Sequence, residues 1–481
     1  MSRYWFLSLT LWGLLLSVPA WIEAQQAEKQ MALDWVDSNA QILEQVNRKI
    51  WSWAETGLQE FKSSRELMDL LKANGFEVQE GVAGMPTAFV ASYGSGRPAI
   101  GILAEYDALP GLSQQAAPEP RERAGVTAGH GCGHSIFGTG STAAAIAVKQ
   151  VLESGALKGT IRLYGTPAEE TGIGKIYMLR DGIFKNDDVV FAWHAGDVTT
   201  SRYSYSKAVV SVKFRFSGLA AHASSSPHEG RSALDAVELM NHGVNYMREH
   251  VKEDARLHYV ITEGGGQPNV VPPEAEVWYY IRADKHTDVE KYFEWVKEIA
   301  RAAALMSRTE LAGVKVDSDM HEVLPNRTLS EILHRNLELV GAPHFSEEEK
   351  AFARQTQAPL GREFEKPLSE GIEPLPDVPG QSRGSTDTGD ISWFVPVGRL
   401  RVASYSFGAP GHSWQIVACT GGSIGEKGMM VAAKTLAASA IELYTSSDLL
   451  QQVQADFKKI REPLNFLTLI PEGQQAPKAI R

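Results

Sequence analysis

A short glycine-rich segment, residues 127–135 (TAGHGCGHS), concentrates side chains that can bind a metal ion or react as nucleophiles. Cys132 and His134 lie two positions apart, and the sequence has one other cysteine, Cys419. Three kinds of chemistry suit this thiol: a disulfide, a redox or nucleophilic centre, and metal ligation. In extended backbone, residues two apart project to the same side, so we expect Cys132 and His134 to reach one site. A following helix would favour the thiolate near its N-terminus.

Two adjacent carboxylates, Glu169 and Glu170, follow the strand-like run GTIRLYGT and a proline. Neighbouring side chains diverge from the backbone, so the pair can divide two roles. One carboxylate would bind a metal ion while the other accepts a proton. The alternative interpretation is a solvated pair at the start of a helix, where negative charge is favoured.

Two histidines, His194 and His412, each follow an apolar strand-like run, DVVFAW and RVASYSF respectively. Such a histidine, taken alone, is more often a hydrogen-bonded structural residue than a ligand. Together with the residues above they make a set of one thiolate, three imidazoles and one carboxylate. Such a set suits zinc, or manganese where more oxygen donors are present. Five protein ligands exceed what one catalytic ion usually takes, which indicates two divalent ions that share a ligand.

The elements that must position these residues include near-continuous apolar runs of strand length, such as AIGILA and GTIRLYGT, with helical segments between them. This alternation predicts an α/β fold whose mostly parallel sheet is covered by helices. In such sheets, functional groups gather beyond the carboxyl ends of the strands. The candidates at those ends are Asp107, Glu169, Glu170, His194 and His412.

The pattern changes at residues 208–324, where strand and helix signals follow the order β-α-β-β-α-β of a ferredoxin-like unit. A chain of 481 residues is long for one core, so we expect two domains. We predict a catalytic domain in two parts, residues 25–207 and 325–481, interrupted by an inserted α+β domain at residues 208–324. Residues 343–384, rich in Pro, Gly and Glu, are predicted to form a long surface excursion.

The first 24 residues combine one basic residue, Arg3, an apolar stretch, and small residues at Ala20 and Ala24. This pattern predicts a signal peptide and a periplasmic or secreted protein; an uncleaved anchor helix is the alternative. The net charge of −11 argues against binding to nucleic acid. Beyond the leader we find no apolar run long enough to span a membrane.

Eight motifs follow one another along nearly the whole chain after the leader: AEYDALPG, GHGCGHS, TPAEETGIG, WHAGD, SGLAAHASSSP, PNVVPPEAEVWYYIR, GSTDTGDISW and GAPGHSWQ. Jointly they resemble the dinuclear metallopeptidases of the aminoacylase and carboxypeptidase G type. Within that family they are most similar to an amidohydrolase branch that acts on aminobenzoyl-glutamate. The resemblance implies a catalytic domain with an inserted dimerisation or lid domain.

The resemblance also implies roles for the residues of the candidate site. Cys132 would bridge two divalent ions, manganese or zinc; His134 and His194 would complete one ion's ligands, and Glu170 and His412 the other's. Glu169 would be the general base, and Asp107 would orient a ligand by hydrogen bonding. Glu105 stands where many relatives have a ligand histidine, which His134 would replace.

Three residues of the inserted domain match family positions. His222 resembles a histidine that enters the active site of the other subunit of a dimer and polarises the scissile carbonyl. Asn269 and Arg282 match residues that bind polar groups of the substrate, and Arg282 is the candidate for a carboxylate. Without the resemblance, a surface imidazole, a turn amide and a strand-edge guanidinium would explain them.

The function that we predict is an exported metal-dependent amidohydrolase, a homodimer that cleaves small N-acyl amino acids such as aroyl-glutamates. Alternatives are a metal-dependent dipeptidase or carboxypeptidase, a non-catalytic periplasmic binding protein on the same fold, and a structural protein with a Cys132–Cys419 disulfide. A hetero-oligomer with a second, related subunit is also open.

Overall fold

The computed structural model describes residues 20–479, with side chains from Gln25 onward. The predicted signal peptide, residues 1–24, lies outside the residues whose side chains are described. Among the helices of residues 20–479, none has the length and apolar character needed to cross a membrane.

The strands are β1 (Glu77–Glu80), β2 (Phe89–Ser95), β3 (Ala99–Ala104), β4 (Leu109–Pro110), β5 (Ala128–Gly129), β6 (Gly159–Gly165), β7 (Val189–Gly196), β8 (Thr200–Ser201), β9 (Ser204–Tyr205), β10 (Ala208–Ser217), β11 (Arg256–Glu263), β12 (Glu274–Ala283), β13 (Glu310–Met320), β14 (Gly380–Gln381) and β15 (Val397–Ala403). The α-helices are α1 (Ala20–Ser38), α2 (Ala40–Trp53), α3 (Phe61–Ala73), α4 (His134–Glu153), α5 (Gly174–Arg180), α6 (Ala233–Met247), α7 (His286–Ser307), α8 (Arg327–Val340), α9 (Glu347–Gln357), α10 (Thr388–Ile391), α11 (Trp414–Thr420), α12 (Ser423–Thr445) and α13 (Ser447–Arg461).

The larger sheet has seven strands in the order β1-β2-β6-β3-β7-β15-β8. Its centre is parallel, because β6, β3, β7 and β15 all pair in parallel, while β1, β2 and β8 join antiparallel at the edges. The central strands are apolar and almost wholly buried, as expected for strands covered on both faces. The predicted α/β fold with a mostly parallel sheet is therefore confirmed.

Helix α4 lies against the centre of this sheet and packs on α12. Its sequence is rich in small residues, and nearly every residue from His134 to Lys149 is buried. Gly138 allows the close approach to β3, because a Cβ there would lie 2.6 Å from the carbonyl oxygen of Glu105. The small residues fix the start of α4, and hence His134, close to the end of β3.

Four strands form a second, antiparallel sheet in the order β11-β12-β10-β13, with α6 and α7 packed on it. The chain order β10-α6-β11-β12-α7-β13 is the predicted β-α-β-β-α-β unit, so the ferredoxin-like fold of this segment is confirmed. The first and last strands pair with each other, with Val209 opposite Met320. The chain therefore enters and leaves this unit at neighbouring points.

The predicted surface excursion at residues 343–384 is more ordered than its composition suggests. Helix α9 lies within it and begins with a capping box, in which Ser346 Oγ accepts from the N–H of Glu349 and Glu349 accepts from the N–H of Ser346. Further along, Ser382 and Gly384 line the cavity described below. The excursion thus contributes to the wall of the candidate site.

Candidate metal centre

Cys132 and His134 are brought together by a turn at the start of α4. The expectation of extended backbone here is wrong: His134 is the first residue of the helix, and Gly133 before it has φ +81°. At that backbone conformation a side chain would be strained, and a Cβ would lie 2.7 Å from the Cβ of Ala195. Gly133 thus lets the ligand-bearing turn lie against β7.

Two imidazoles of this region, those of His134 and His194, are each held by one ring nitrogen, so the other nitrogen is available for a ligand role. His134 Nδ1 lies 2.9 Å from Asp107 Oδ1, and His194 Nδ1 lies 2.8 Å from the carbonyl oxygen of Ala195. The Nε2 atom of His194 lies 3.3 Å from Cys132 Sγ. A hydrogen bond at Nδ1 fixes the tautomer that presents the Nε2 lone pair to an ion.

Glu169 and Glu170 lie in a single 3-10 turn, Glu169–Thr171, which follows β6. Ala168 starts this turn with φ +55°, and its N–H donates to the buried Glu60 carboxylate at 2.8 Å. The N–H of Glu170 donates to Asp107 Oδ2 at 3.0 Å. The two side chains diverge: Glu169 lies beside His134 Nε2 at 3.8 Å, whereas Glu170 lies 3.3 Å from His412 Nε2.

Two groups of possible ligand atoms share one sulfur. Cys132, His134 and His194 offer atoms that all lie within 4.8 Å of one another, and so do Cys132, Glu170 and His412. These are the two sets that the family resemblance implied for two ions, and Cys132 is common to both. Their roles as ligands remain a prediction that the geometry permits.

Buried polar atoms without partners test whether these residues fit an ion. His134 Nε2 and Glu170 Oε1 have no hydrogen-bond partner among the described residues, although both are buried and Glu105 Oε2 lies 3.2 Å from His134 Nε2. Leaving such atoms unpaired costs about 1–3 kcal/mol each, so proteins rarely keep them without a reason. Both belong to the sets above, so the donor set fits a divalent ion.

Burial dominates the protonation of the centre. It raises the pKa of Glu170 well above its usual range, and burial together with Glu170 raises the pKa of the Cys132 thiol. The expected thiolate is therefore not stable in the metal-free chain. Burial, and next the charge of His134, hold the pKa of His194 well below its ordinary value. A cation bound here would displace protons from Cys132 and Glu170.

A cavity of about 340 Å³ opens beside the centre and is lined by Cys132, Glu169, Glu170, His194 and His412. Arg282, on β12 of the second sheet, also lines it. Its Nη1 donates to Ser385 Oγ at 2.9 Å, and its guanidinium lies 5.2 Å from the ring centre of Tyr280. The structure thus brings Arg282 to the predicted site, across the gap between the two sheets.

His222 and Asn269 lie elsewhere, close together at one tip of the ferredoxin-like unit, and neither is buried. His222 pairs with Val270 in a β-bridge, and the N–H of Ala223 donates to the carbonyl oxygen of Asn269 at 2.9 Å. His222 Nδ1 accepts from the N–H groups of Ser224 and Ser225, which fixes the tautomer that carries its proton on Nε2. A single chain does not bring these two residues to its own cavity.

Several residues of the site were given no role by the sequence. Buried Lys175 donates to Glu105 Oε1 at 2.7 Å and to Asp387 Oδ1 at 2.6 Å. Arg202, Arg399 and Arg401 line the cavity. A signal was available for two of them, because Arg399 and Arg401 alternate within the otherwise apolar run VGRLRVA. Charged residues at alternate positions of a buried strand indicate a polar site on one face.

The disulfide alternative is wrong for this structure, in which both cysteines are free. Cys419 is buried in the core, with its sulfur 3.9 Å from Ser406 Oγ. Cys132 instead lies beside His194 at the cavity. The thiol in the glycine-rich segment is therefore available for ligation.

Comparison with known proteins identifies the chain's relatives. The model of peptidase family M20/M25/M40 matches residues 101–440. A subunit of the p-aminobenzoyl-glutamate hydrolase of Escherichia coli K12 is 40% identical over 466 residues, which cover 92% of this chain and 97% of that protein. The Xaa-Arg dipeptidase of Mus musculus is 30% identical, covering 90% and 93%.

The solved structures include a dinuclear metal binding peptidase of the M20 family from Bacillus subtilis. It is similar with a TM-score of 0.55 at 18% identity, covering 85% of this chain and 99% of that one. This similarity shows the shared fold. The cavity, with its two groups of ligand atoms, thus lies in a hydrolase of amide bonds, and the chain belongs to peptidase family M20/M25/M40.

Proposed function

We propose that the protein is an exported, metal-dependent amidohydrolase that cleaves small N-acyl amino acids, with aroyl-glutamates as the model substrates. One observation carries the proposal: two ligand groups share Cys132 at the wall of a cavity that Glu169 and Arg282 also line. The similarity to the E. coli p-aminobenzoyl-glutamate hydrolase, which extends over 92% of the chain, supports this substrate class.

Cys132, His134 and His194 would hold one divalent ion, and Cys132, Glu170 and His412 a second, manganese or zinc. When bound, such ions supply Lewis-acid chemistry, lowering the pKa of water and polarising an amide carbonyl. The Bacillus subtilis peptidase with the same fold is described as dinuclear, which is consistent with two ions.

Glu169 is the proposed general base. Its carboxylate lines the cavity and lies 3.8 Å from His134 Nε2, while its neighbour Glu170 faces His412. It takes a proton from the attacking water and passes this proton to the nitrogen of the leaving amino acid. Asp107 acts indirectly, because one carboxylate orients both His134 and the backbone of Glu170.

Arg282 is the proposed anchor for the α-carboxylate of the amino acid. Its Nε atom is buried and has no hydrogen-bond partner among residues 25–479. Its Nη1 atom is held by Ser385, which orients the guanidinium. A carboxylate would pair with the remaining donors of this group by two hydrogen bonds.

His222 is proposed to act on the partner subunit of a homodimer. It lies at the tip of the ferredoxin-like unit, on a loop of small residues, and is absent from the wall of its own chain's cavity. The imidazole would donate from Nε2 to the developing oxyanion of the neighbouring site. Asn269, held beside it by the loop, would reach the same substrate.

The direct test is product release from a panel of N-acyl amino acids by purified protein reconstituted with manganese or zinc. We expect turnover of N-benzoyl-L-glutamate and almost none by Glu169→Gln under the same conditions. Turnover of dipeptides but of no N-acyl amino acid would favour a dipeptidase. If the wild type binds these compounds but hydrolyses none of them, the protein is a binding protein rather than an enzyme.

A mixing experiment tests the role of the partner. His222→Ala and Glu169→Gln are each expected to be nearly inactive, but a heterodimer of the two contains one intact site. Equal mixing should recover about a quarter of the wild-type activity, because half of the dimers are mixed and each has one complete site. Activity at background in the refolded mixture would place His222 in its own chain's site or outside catalysis.

Export is proposed from the leader sequence alone. Expression of the full chain in a Gram-negative host, followed by cell fractionation and N-terminal sequencing, should give a periplasmic protein that begins near residue 25. A cytoplasmic protein with an intact N-terminus would contradict this.

A further inference from the structure

Three arginines form a positively charged surface on the wall of the cavity, next to the metal centre. Arg399 and Arg401 lie on β15, and Arg202 follows β8. Strand register places them together: Arg401 is opposite His194 of β7, and Arg399 is opposite Ala192. Paired residues on neighbouring strands project to the same face, so both arginines share the face of His194. We call Arg202, Arg399 and Arg401 the arginine cluster.

Arg202 joins this face from the other side of β15. Leu400 pairs with Ser201, and the N–H of Arg202 donates to the carbonyl oxygen of Arg399 at 2.8 Å. Arg202 and Arg399 therefore stand opposite each other on adjacent antiparallel strands. Like charges in this arrangement repel and destabilise the sheet.

Within residues 25–479, no carboxylate lies within ion-pair distance of Arg202 or Arg399, although Arg399 is only 6% exposed. Arg401 has one, Asp197, at 3.6 Å. Buried Lys175 differs, because Glu105 and Asp387 both contact it. A buried charge without a counter-charge is costly, so the unbalanced arginines point to an anion from outside the chain.

The hydrogen bonds of the cluster leave one edge of each guanidinium unused. In all three residues only Nη2 has a partner in the described part of the chain: Ser382 Oγ for Arg202, Ser204 for Arg399, and Tyr405 Oη and Asp197 for Arg401. The remaining N–H donors belong to the planar fork that matches a carboxylate. Gly196 gives Arg401 room to lie over β7, because a Cβ there would meet its Cγ at 2.5 Å.

Burial, and next the charge of Arg401, lower the pKa of Arg202 to about 10. Burial and the charge of Arg202 lower the pKa of Arg399. A guanidinium stays protonated at neutral pH in proteins, so the repulsion persists until an anion binds.

We propose that the arginine cluster binds a second carboxylate of the substrate, so that the preferred substrates are dianions: one carboxylate on Arg282, the other on Arg202, Arg399 and Arg401. This rests on the proposed hydrolysis of N-acyl amino acids and specifies its substrate class. The second carboxylate comes either from an acidic amino-acid side chain or from a dicarboxylic acyl group, and the chemistry at the arginines is the same.

Paired substrates that differ by one charge test the proposal. For the amino-acid half, kcat/KM is compared for N-benzoyl-L-glutamate and its neutral isostere N-benzoyl-L-glutamine. For the acyl half, N-succinyl-L-phenylalanine is compared with N-succinamoyl-L-phenylalanine. We expect a preference of about 10- to 100-fold for the dianion in one of the two pairs, the range for hydrogen bonds to a charged group. No preference in either pair would overturn the proposal.

Substitutions then locate the preference. Arg399→Gln and Arg202→Gln should reduce it to within about threefold of unity, mainly by slowing the dianion and sparing the neutral isostere. Arg383→Gln is the matched control, because Arg383 lies on the same cavity-lining segment as Ser382 and Gly384 but does not line the cavity itself. It should keep the wild-type preference. Survival of the full preference in both cluster variants would also overturn the proposal.

Binding separates this proposal from the proposed activity. Calorimetric titration of the Glu169→Gln protein, with and without Arg399→Gln, measures Kd without turnover. The ligands are N-benzoyl-L-glutamate, N-benzoyl-L-glutamine, N-succinyl-L-phenylalanine and N-succinamoyl-L-phenylalanine. If no substrate is hydrolysed, the proposed function fails, yet an Arg399-dependent preference in Kd still supports the second carboxylate site. Circular dichroism and thermal melting confirm that each variant is folded, and Arg399→Lys, which keeps the charge but not the fork, should retain part of the preference.

Discussion

Two clusters of buried histidines and carboxylates in this molecule look alike by residue type but differ in their hydrogen bonds. One is the candidate metal centre around Cys132. The other, which we call the junction cluster, joins α7 and the end of β13 to α10 and consists of His286, Glu290, Asp319, His321 and Asp390. Both offer at least three possible ligand atoms within 4.8 Å of one another.

In the junction cluster the ring nitrogens bind the carboxylates directly. His286 Nε2 and Nδ1 lie 2.8 Å from Asp319 and Glu290, and His321 Nδ1 lies 2.8 Å from Asp390. The two imidazoles stack at 3.7 Å between ring centres, and Phe466 also stacks on His321. One nitrogen, His321 Nε2, has no partner among the described residues. This cluster stabilises the junction by itself, with nearly every ring nitrogen satisfied.

The candidate metal centre leaves more of its ligand-type atoms without hydrogen bonds. His134 Nε2 and Glu170 Oε1 make no hydrogen bond among residues 25–479, although Glu105 Oε2 lies 3.2 Å from His134 Nε2. His194 Nε2 contacts a thiol rather than a carboxylate. Its residues also open onto a cavity, which gives an ion a route in. The comparison teaches that proximity of ligand-type residues is weak evidence for a metal site, and that polar atoms without hydrogen bonds beside an accessible cavity are stronger evidence.

The largest difference is expected when a shared ligand is removed. Cys132→Ser should lose most of both ions and nearly all activity, because one sulfur belongs to both ligand groups. His286→Gln, its counterpart in the junction cluster, should keep the metal content and activity within about threefold of the wild type, because ion pairs rather than an ion hold that cluster. Elemental analysis after reconstitution, with activity on the same samples, checks this. Full metal content in Cys132→Ser would remove the distinction between the clusters.

The next largest effect distinguishes the roles of the two adjacent glutamates. Glu169→Gln should keep its ions and lose roughly 10²–10⁴ in kcat, the contribution of a positioned general base. Glu170→Gln should lose metal as well, because its carboxylate faces His412 and Cys132. Activity near that of the wild type in Glu169→Gln would show that another group is the base.

Removal of divalent ions by a chelator should destabilise the protein through the centre around Cys132 and not through the junction cluster. Ions that bind the folded state at about a thousand times Kd contribute about 4 kcal/mol per site, so EDTA should lower Tm by several degrees. His286→Gln should show the same decrease, whereas Cys132→Ser should show little. Scanning calorimetry with and without EDTA measures it; an unchanged wild-type Tm would argue against bound ions.

The smallest expected effect is a pH-dependent contribution of the junction cluster to the free energy of unfolding. Burial opposes the charge of His286, but Asp319 and then Glu290 raise its pKa to about 9. Because the folded pKa lies above the ordinary value of about 6.5, this stabilisation is present below pH 6.5 and is lost as the pH rises through 9. His286→Gln should therefore be less stable than the wild type by about 3 kcal/mol at pH 6, and the difference should shrink by pH 10.

Urea unfolding of both proteins at pH 6, 8 and 10 gives this difference directly. His344→Gln is the control, because the His344 side chain is 87% exposed and should show no such trend. A pH-independent difference would mean that His286 is neutral in the folded protein.

The sequence predicted those parts of the molecule that depend on local pattern. Apolar strands with polar residues at their ends indicated the parallel sheet. The ligand candidates do lie together near the carboxyl ends of its central strands. The order of elements in residues 208–324 indicated the ferredoxin-like unit. These signals are readable because each depends on a few consecutive residues.

What the sequence could not predict depends on contacts between distant segments. Cys132 and His134 converge through a left-handed glycine rather than an extended strand, because α4 must lie against β7. The environment of Lys175 needs Glu105 and Asp387, which lie far apart in sequence. The arginine cluster needs the register of three strands, which no local pattern specifies.

The side-by-side pairing of β10 and β13 has a consequence for folding kinetics. Ser206 Oγ accepts from the N–H of Val323 across 117 residues of chain, a separation that would make the contact slow to form from an open coil. Once the ferredoxin-like unit has folded, its two ends are one strand spacing apart. The unit then acts as a short, stiff loop that returns the chain beside the strands that precede it, before β15 joins the larger sheet. Folding of the inserted unit should therefore precede and accelerate completion of the larger sheet.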